Sequence, residues 1–335
     1  MKRLLNLFGD RLAALPLLVL YLTDGCNSRC AMCDIWRNPR RNMSQPLVES
    51  LLADAAALDM RWLLLSGGEA MQHPNWDGIA RQFKQQGVYV MLLTNGLYLA
   101  RDAERLTGAV DEVIVSLDAA SPATYQAIRG VDGFETVLQG IRAACALNIP
   151  VITRTTVQQM NYVELPALVD VALKAGVNRV SFLPIDVSNA FAFGGRDLKV
   201  APQGALTLTD CDAFEHVLTG MQSSHAAAFA NGQIAEPYHK LQQMVAYFRA
   251  LHDQAEYAAP RCNAPHISTV IEVDGTVRPC YFLPSVGKVG AGGLRAALNS
   301  EAAQAMRHAY RTGQRLECAR CVCPLYKGVR ALATM

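Results

Sequence analysis

The residues best suited to chemistry are the cysteines, ten in all, of which eight fall into two groups. Cys26, Cys30 and Cys33 form the first, spaced C-x3-C-x2-C. Three thiolates on one short loop can each take one iron of a 4Fe-4S cube, which leaves the fourth iron open to a substrate or cofactor. A zinc ion completed by His73 or a distant residue is the competing use of the same donors. The second group begins with Cys262 and Cys280, with Gly275 ahead of Cys280 as Gly-x4-Cys, and ends in Cys318, Cys321 and Cys323. Cys262, Cys280, Cys318 and Cys321 supply the four thiolates of a fully coordinated second 4Fe-4S cluster, although Cys323 could replace Cys321 and zinc would accept the same set. Cys145 and Cys211 stand apart in helical stretches and read as apolar fillers.

The elements that must position these groups alternate. Apolar or β-branched runs at Leu17 to Leu22, Trp62 to Leu65, Val88 to Leu93, Glu112 to Leu117, Val151 to Val157 and Arg179 to Pro184 read as strands. Helices are expected at Pro46 to Leu58 with Ser44 as N-cap, Asn75 to Gln85, Ala100 to Leu106, Phe134 to Leu147 and Val163 to Ala175, with Gly87 and Gly176 at helix ends. Six strand-helix units predict an α/β fold, a partial (β/α)6 TIM-like barrel, with a small C-terminal hairpin-containing iron-sulfur domain. Ligands gather at strand C-termini in such folds, so the loops after the first three strands should line one site. Residues 1–187 are expected to form the barrel, 188–260 a helical connection closing it (helices at Thr209 to Met221 and Tyr238 to Leu251), and 261–335 the auxiliary domain. Ile267 to Val273 and Thr276 to Phe282 flank Asp274-Gly275, a β-hairpin signal. The Gly290 to Gly293 run lacks the context of a phosphate loop.

Composition narrows the class. With 335 residues, 51% hydrophobic, and Lys+Arg 31 against Asp+Glu 29, the chain has a core to fill and no field strong enough to recruit nucleic acid or an anionic membrane. Asp10 and Arg11 interrupt the Leu-rich N-terminus, which therefore reads as no secretion signal, and clustered cysteines then imply metal or redox sites in a reducing cytoplasm.

Cys26-Asn27-Ser28-Arg29-Cys30-Ala31-Met32-Cys33 resembles the signature of the radical S-adenosylmethionine (SAM) superfamily, with Met32 where that family usually has an aromatic residue. Ser66-Gly67-Gly68-Glu69 is similar to its GGE segment, Ala70 replacing the usual proline, and Thr94-Asn95-Gly96 to its TNG segment. Ser116-Leu117-Asp118 and Arg129 resemble positions that hold the ribose and carboxylate of SAM. The resemblance implies cofactor binding by Gly67, Gly68, Glu69, Thr94, Asn95, Ser116, Asp118 and Arg129. It also implies reductive cleavage of SAM to a 5′-deoxyadenosyl radical and abstraction of a substrate hydrogen. The C-terminal cysteines resemble the shortened Twitch form of the SPASM domain, which implies an auxiliary 4Fe-4S cluster.

The expectation is oxidation of a small molecule with that cluster as electron acceptor, aided by a reductant such as flavodoxin or ferredoxin. A maturase acting on a ribosomal peptide is the alternative, and the barrel's start near Leu17 leaves little room for the leader-binding domain often fused ahead of such enzymes. An iron-sulfur electron carrier without SAM chemistry is the reading from another class. Arg154, Asp186, Tyr281 and His266 are the residues that could face the cavity and move a proton or position a substrate.

Overall fold

The computed structural model describes residues 2–195, 204–258 and 260–334. Six parallel strands follow in order, β1 (Leu17–Thr23), β2 (Trp62–Gly67), β3 (Tyr89–Thr94), β4 (Glu112–Ser116), β5 (Val151–Val157) and β6 (Arg179–Pro184). Each is within two residues of its expected bounds at either end. β1 reads as a nearly unbroken apolar run, LLVLYLT, because it is central: β2 pairs with it on one side and β7 (Ser268–Ile271) on the other, both parallel. β8 (Thr276–Arg278) and β9 (Gly287–Lys288) continue antiparallel, giving the order β6-β5-β4-β3-β2-β1-β7-β8-β9. The sheet is therefore open, with β6 and β9 at its edges.

The segment expected to close the barrel instead covers one edge. Gln233 and Ala235 exchange backbone hydrogen bonds with Val180 of β6 at 2.7 and 2.8 Å, and the Glu236 carboxylate accepts from the Phe182 N–H at 2.8 Å. The helices Leu208–Ser224 and Tyr238–Ala250 pack beside it. Residues 196–203 and 259 of that expected connection lie outside the described residues.

Local chemistry explains the helices and the departures from expectation. Trp76, Ile79, Ala80 and Phe83 form a buried stripe on the helix Trp76–Gln85. Ser44 takes the N-cap position of Gln45–Ala55, but its hydroxyl makes no capping bond. The helix at Ala100 to Leu106 shrinks to Ala103–Leu106, and Val163 to Ala175 opens with a 3-10 turn before Leu165–Lys174. A helix the sequence reading missed, Pro122–Arg129, is capped by Ser121 and ended by Gly130 at φ 66°.

In the hairpin, Ala264–Ile267 is a helical turn and β8 stops at Arg278, so both strands are shorter than expected and Cys280 lies beyond them. Only Gly275 has positive φ, 83°, and its N–H donates to Glu272 O at 2.9 Å, so the connection is a four-residue turn with glycine at the left-handed position. At Gly290 to Gly293 the free amides of the next helix, Leu294 N and Arg295 N, donate to Asp54 Oδ2 at 2.7 and 3.3 Å. That helix start is already occupied by the chain's own carboxylate.

Candidate functional site

The triad loop leaves β1 and is fixed by backbone bonds to the end of the helix Pro122–Arg129, with Arg29 N to Arg129 O and Ala31 N to Ile128 O both 3.0 Å. Gly67 and Gly68 let the β2 exit press against the β1 exit. Gly68 N donates to Thr23 O and Glu69 N to Gly25 O, each at 2.8 Å. A Cβ on Gly68 would strike the Gly25 carbonyl, and Gly67 has φ 118°. The glycines thus serve the docking of two strand ends, besides keeping that wall of the cavity bare.

One cavity of about 220 Å³ gathers the strand ends. Its lining includes Cys26, Cys30 and Cys33, then Gly67, Gly68, Thr94, Asn95, Ser116, Asp118 and Arg129, and finally Arg154, Asp186 and Tyr281. Met32 also lines it, 8% exposed. Glu69 lies one layer back, 1% exposed, where its carboxylate accepts from Thr94 Oγ1 at 2.8 Å and Asn95 N at 2.7 Å. Asn95 Nδ2 in turn donates to Asn27 Oδ1 at 2.7 Å and Ser28 Oγ at 3.1 Å, tying the third strand end to the triad loop.

Burial dominates the electrostatics. It pushes the Cys26 thiol up to about 11 and Cys33 to about 12, with neighbouring thiolate charge adding to the effect. Buried thiols of this kind need a cation to hold them as thiolates. Asp118 pairs with Arg129, and its Oδ1 accepts from Thr156 N at 2.7 Å. Burial raises the Asp118 carboxyl; burial would lower Arg129, but Asp118 and Cys30 outweigh it and raise the guanidinium. Arg129 Nη1 also donates to Cys30 Sγ at 3.5 Å, while Cys26 Sγ accepts from Ser28 N at 3.5 Å and Asn95 Nδ2 at 3.9 Å. Thiolates with N–H donors aimed at sulfur and carboxylates held elsewhere suit an iron-sulfur cube. Among the described residues no three His, Cys, Asp or Glu side chains form a group for a single metal ion. His73, the candidate to complete the competing zinc site, has Nε2 against Met43 O at 3.1 Å and Nδ1 accepting from Asn75 N at 3.2 Å, so both ring nitrogens are engaged.

At the C-terminus burial pushes Cys280 up to about 12 and Cys318 to about 11 and raises Cys321, and nearby cysteines add to it: Cys318 and Cys262 at Cys280, Cys262 at Cys318, and Cys323, Cys280 and Cys262 at Cys321. Tyr310 borders all four, and its hydroxyl donates to Cys262 O at 2.5 Å. Cys323 is also next to Cys321, but its Sγ accepts from Arg154 Nη2 at 3.1 Å, on the cavity side. His266, which the sequence placed among cavity candidates, packs instead against the Tyr310 ring at 5.7 Å, outside the cavity lining. Tyr21, Trp36 and Thr156 line the cavity and were not anticipated. Thr156 was readable, two residues from Arg154 on the same face of β5. Cys211 is buried in the core, while Cys145 is half-buried with Sγ near Gly176 O at 3.2 Å.

Comparison with known proteins agrees with this geometry. Residues 20–172 match the radical SAM superfamily, and residues 262–322 match an iron-sulfur cluster-binding domain, SPASM; together they take in well over half of the chain. A probable GTP 3′,8-cyclase of Thermococcus kodakarensis is 33% identical over 162 residues, 46% of this chain and 52% of that protein. An AdoMet-dependent heme synthase of Methanosarcina barkeri is 32% identical over 161 residues, 46% of each chain. The match thus spans about half the length of these curated relatives. In overall fold the chain resembles Streptococcus suis SuiB bound to precursor peptide SuiA, with TM-score 0.67 and 15% identity over 97% of this chain and 75% of that one. It likewise resembles anSMEcpe with bound AdoMet and Cp18Cys peptide, with TM-score 0.64 and 16% identity over 87% and 82%. The chain belongs to the radical SAM superfamily, with SAM and a 4Fe-4S cluster as its cofactors and a C-terminal SPASM-type domain for an auxiliary iron-sulfur cluster.

Proposed function

We propose that this chain oxidises a small molecule by radical SAM chemistry, with the auxiliary 4Fe-4S cluster as electron acceptor. The observation that carries the reading is the shared cavity. Its lining runs from Cys26, Cys30 and Cys33 to Tyr281 and Val322, the chain neighbours of Cys280, Cys321 and Cys323, so a substrate held there meets the first cysteines directly and the C-terminal segment beside the second group. In this reading Cys26, Cys30 and Cys33 hold the SAM-binding cluster, and Cys262, Cys280, Cys318 and Cys321 hold the auxiliary one. When bound, SAM and its cluster supply a 5′-deoxyadenosyl radical that takes a substrate hydrogen atom.

The side chains orient and exclude. Gly67 and Gly68 keep a wall bare for the amino end of SAM, while Ser116 and Arg129 face its ribose and carboxylate. Asp118 holds Arg129 charged and in place; Glu69 fixes Thr94 and Asn95 from behind. Residues 1–187 would form the barrel unit, 188–260 the connection and 261–335 the auxiliary unit. An external reductant of flavodoxin or ferredoxin type and a cytoplasmic setting complete the reading; no helix among the described residues is long and apolar enough to cross a membrane.

The test is anaerobic reconstitution, reduction and addition of SAM. 5′-Deoxyadenosine should form in the wild type and disappear in Cys30→Ala, and deuterium from the true substrate should enter it. Intact SAM in the wild type would sink the reading and leave an electron carrier. A peptide substrate is the second reading, favoured by the resemblance over nearly the whole chain to SuiB with its bound precursor peptide. Deuterium arriving from a labelled peptide, and from no small molecule, would establish it.

A further inference from the structure

Among the described residues two guanidinium groups line the cavity, and they differ in how their charge is met. Arg129 is 8% exposed and has Asp118 as its counter-ion. Arg154 is half-buried on β5, whose period-2 burial turns Val151, Thr153, Thr155 and Val157 to the core and leaves Arg154 and Thr156 on the cavity face. Of its five N–H donors, the described contacts use one, from Nη2 to Cys323 Sγ at 3.1 Å, and among the described residues no carboxylate forms an ion pair with it. The nearby Glu236 is spent on Ser181 Oγ and Phe182 N, each at 2.8 Å, and Asp186 Oδ1 accepts from Ser188 N and Asn189 N at 2.9 and 2.8 Å. A half-buried guanidinium that no carboxylate contacts directly keeps donors to offer, and its planar fork matches one kind of group above all, an oxyanion taken bidentately.

We propose that Arg154 anchors an anionic group of the substrate, a carboxylate or a phosphate, with Cys323 steadying the guanidinium from the side of the auxiliary cysteines. The position supports a substrate rather than SAM. β5 is separated from β1, which launches the triad loop, by three strands, and Arg154 points toward Tyr281 and Cys323, whereas Arg129 touches Cys30. Leu183, Pro184 and Val322 line the same cavity, so the anion is carried on an apolar body. The inference rests on the functional reading above, because it takes the cavity to hold SAM and substrate together.

The test is calorimetric titration of reconstituted, SAM-loaded protein with hexanoate, hexyl phosphate, hexanol and hexylamine. The wild type should bind hexanoate or hexyl phosphate at least ~10-fold more tightly than hexanol, and the tighter of the two identifies the anion. Arg154→Gln should erase that preference, Arg154→Lys should keep part of it, and Arg154→Glu should reverse it in favour of hexylamine, a gain that misfolding cannot mimic. Equal binding of hexanoate, hexyl phosphate and hexanol by the SAM-loaded wild type would overturn the proposal, as would an anion preference that survives in Arg154→Gln. Formation of 5′-deoxyadenosine by the same wild-type preparation is read separately: its absence counts against the functional reading, while the titration still decides the role of Arg154.

Discussion

The two groups of cysteines are built in opposite ways. Cys26, Cys30 and Cys33 fall within eight residues of one loop, and that loop is bonded to elements formed without it: Arg29 N and Ala31 N to the helix end at Ile128 and Arg129, and Asp34 N to Phe193 O at 2.9 Å. The C-terminal cysteines come from separate points joined by short pieces: Cys262 precedes the turn Ala264–Ile267, Cys280 follows β8, Cys318 lies in the helical turn Leu316–Ala319 and Cys321 just after it, where Leu316 is 80% exposed. A site assembled from such pieces has little packing of its own. Metal binding then contributes much of the local folding free energy. The triad loop should keep its shape without iron, and the C-terminal segment should not.

The sharpest way to break that contrast is to remove each group in turn. Changing Cys262, Cys280, Cys318 and Cys321 to Ala should open the segment around residues 312–328 to limited proteolysis. The Cys26, Cys30 and Cys33 triple Ala variant should stay resistant there and retain about half of a wild-type content of about eight iron and eight sulfide per chain. Equal protease resistance in both variants would refute the comparison. Gly68→Ala comes next. Its methyl would meet the Gly25 carbonyl and push the two strand ends apart, so iron should again fall to about half, now without touching a cysteine. Retention of full iron would show that the β1 exit yields.

The same contrast governs what was legible in the sequence. The barrel strands were readable because each is a run of apolar or β-branched residues, paired with strands on both sides in all but the edge strand β6, and the triad because its three cysteines are local. The helix Pro122–Arg129 was not expected although Ser121-Pro122 and Gly130 mark both its ends, because at eight residues it is too short to show a sustained apolar period. The place of Glu69 behind Thr94 and Asn95 was not readable, since it depends on how two strand ends face each other. Nor was the contact between Arg154 and Cys323, 169 residues apart, which only the folded chain brings together.

Asp118 and Arg129 test the rigid half energetically. Asp118→Ala leaves a guanidinium that is 8% exposed without its counter-ion, a loss expected to cost about 3–5 kcal/mol of stability in urea titration. Replacing both residues by apolar ones of similar size should restore much of it, because the desolvation cost goes with the charge. A cost below ~1 kcal/mol for the single change would mean that Cys30 and its cluster alone satisfy Arg129.

The smallest effect belongs to the C-terminal half and to pH. His266 follows Cys262 in the helical turn Ala264–Ile267; it is 5% exposed, and its Nε2 lacks a hydrogen-bond partner. Burial, reinforced by the cationic Arg307, lowers its pKa from 6.5 to about 4. At pH 7 the ring is mostly neutral in both folded and unfolded chains. Below 6.5 the unfolded chain takes up a proton that the folded chain refuses until about pH 4, so stability falls as pH falls through that window. Between about pH 7 and 5.5 the wild type should therefore lose ~1 kcal/mol more than His266→Leu in paired denaturation curves. Parallel pH profiles for the two proteins would mean that the turn opens locally and lets His266 protonate while the barrel stays folded, which would place the weak point of the C-terminal segment at Ala264–Ile267.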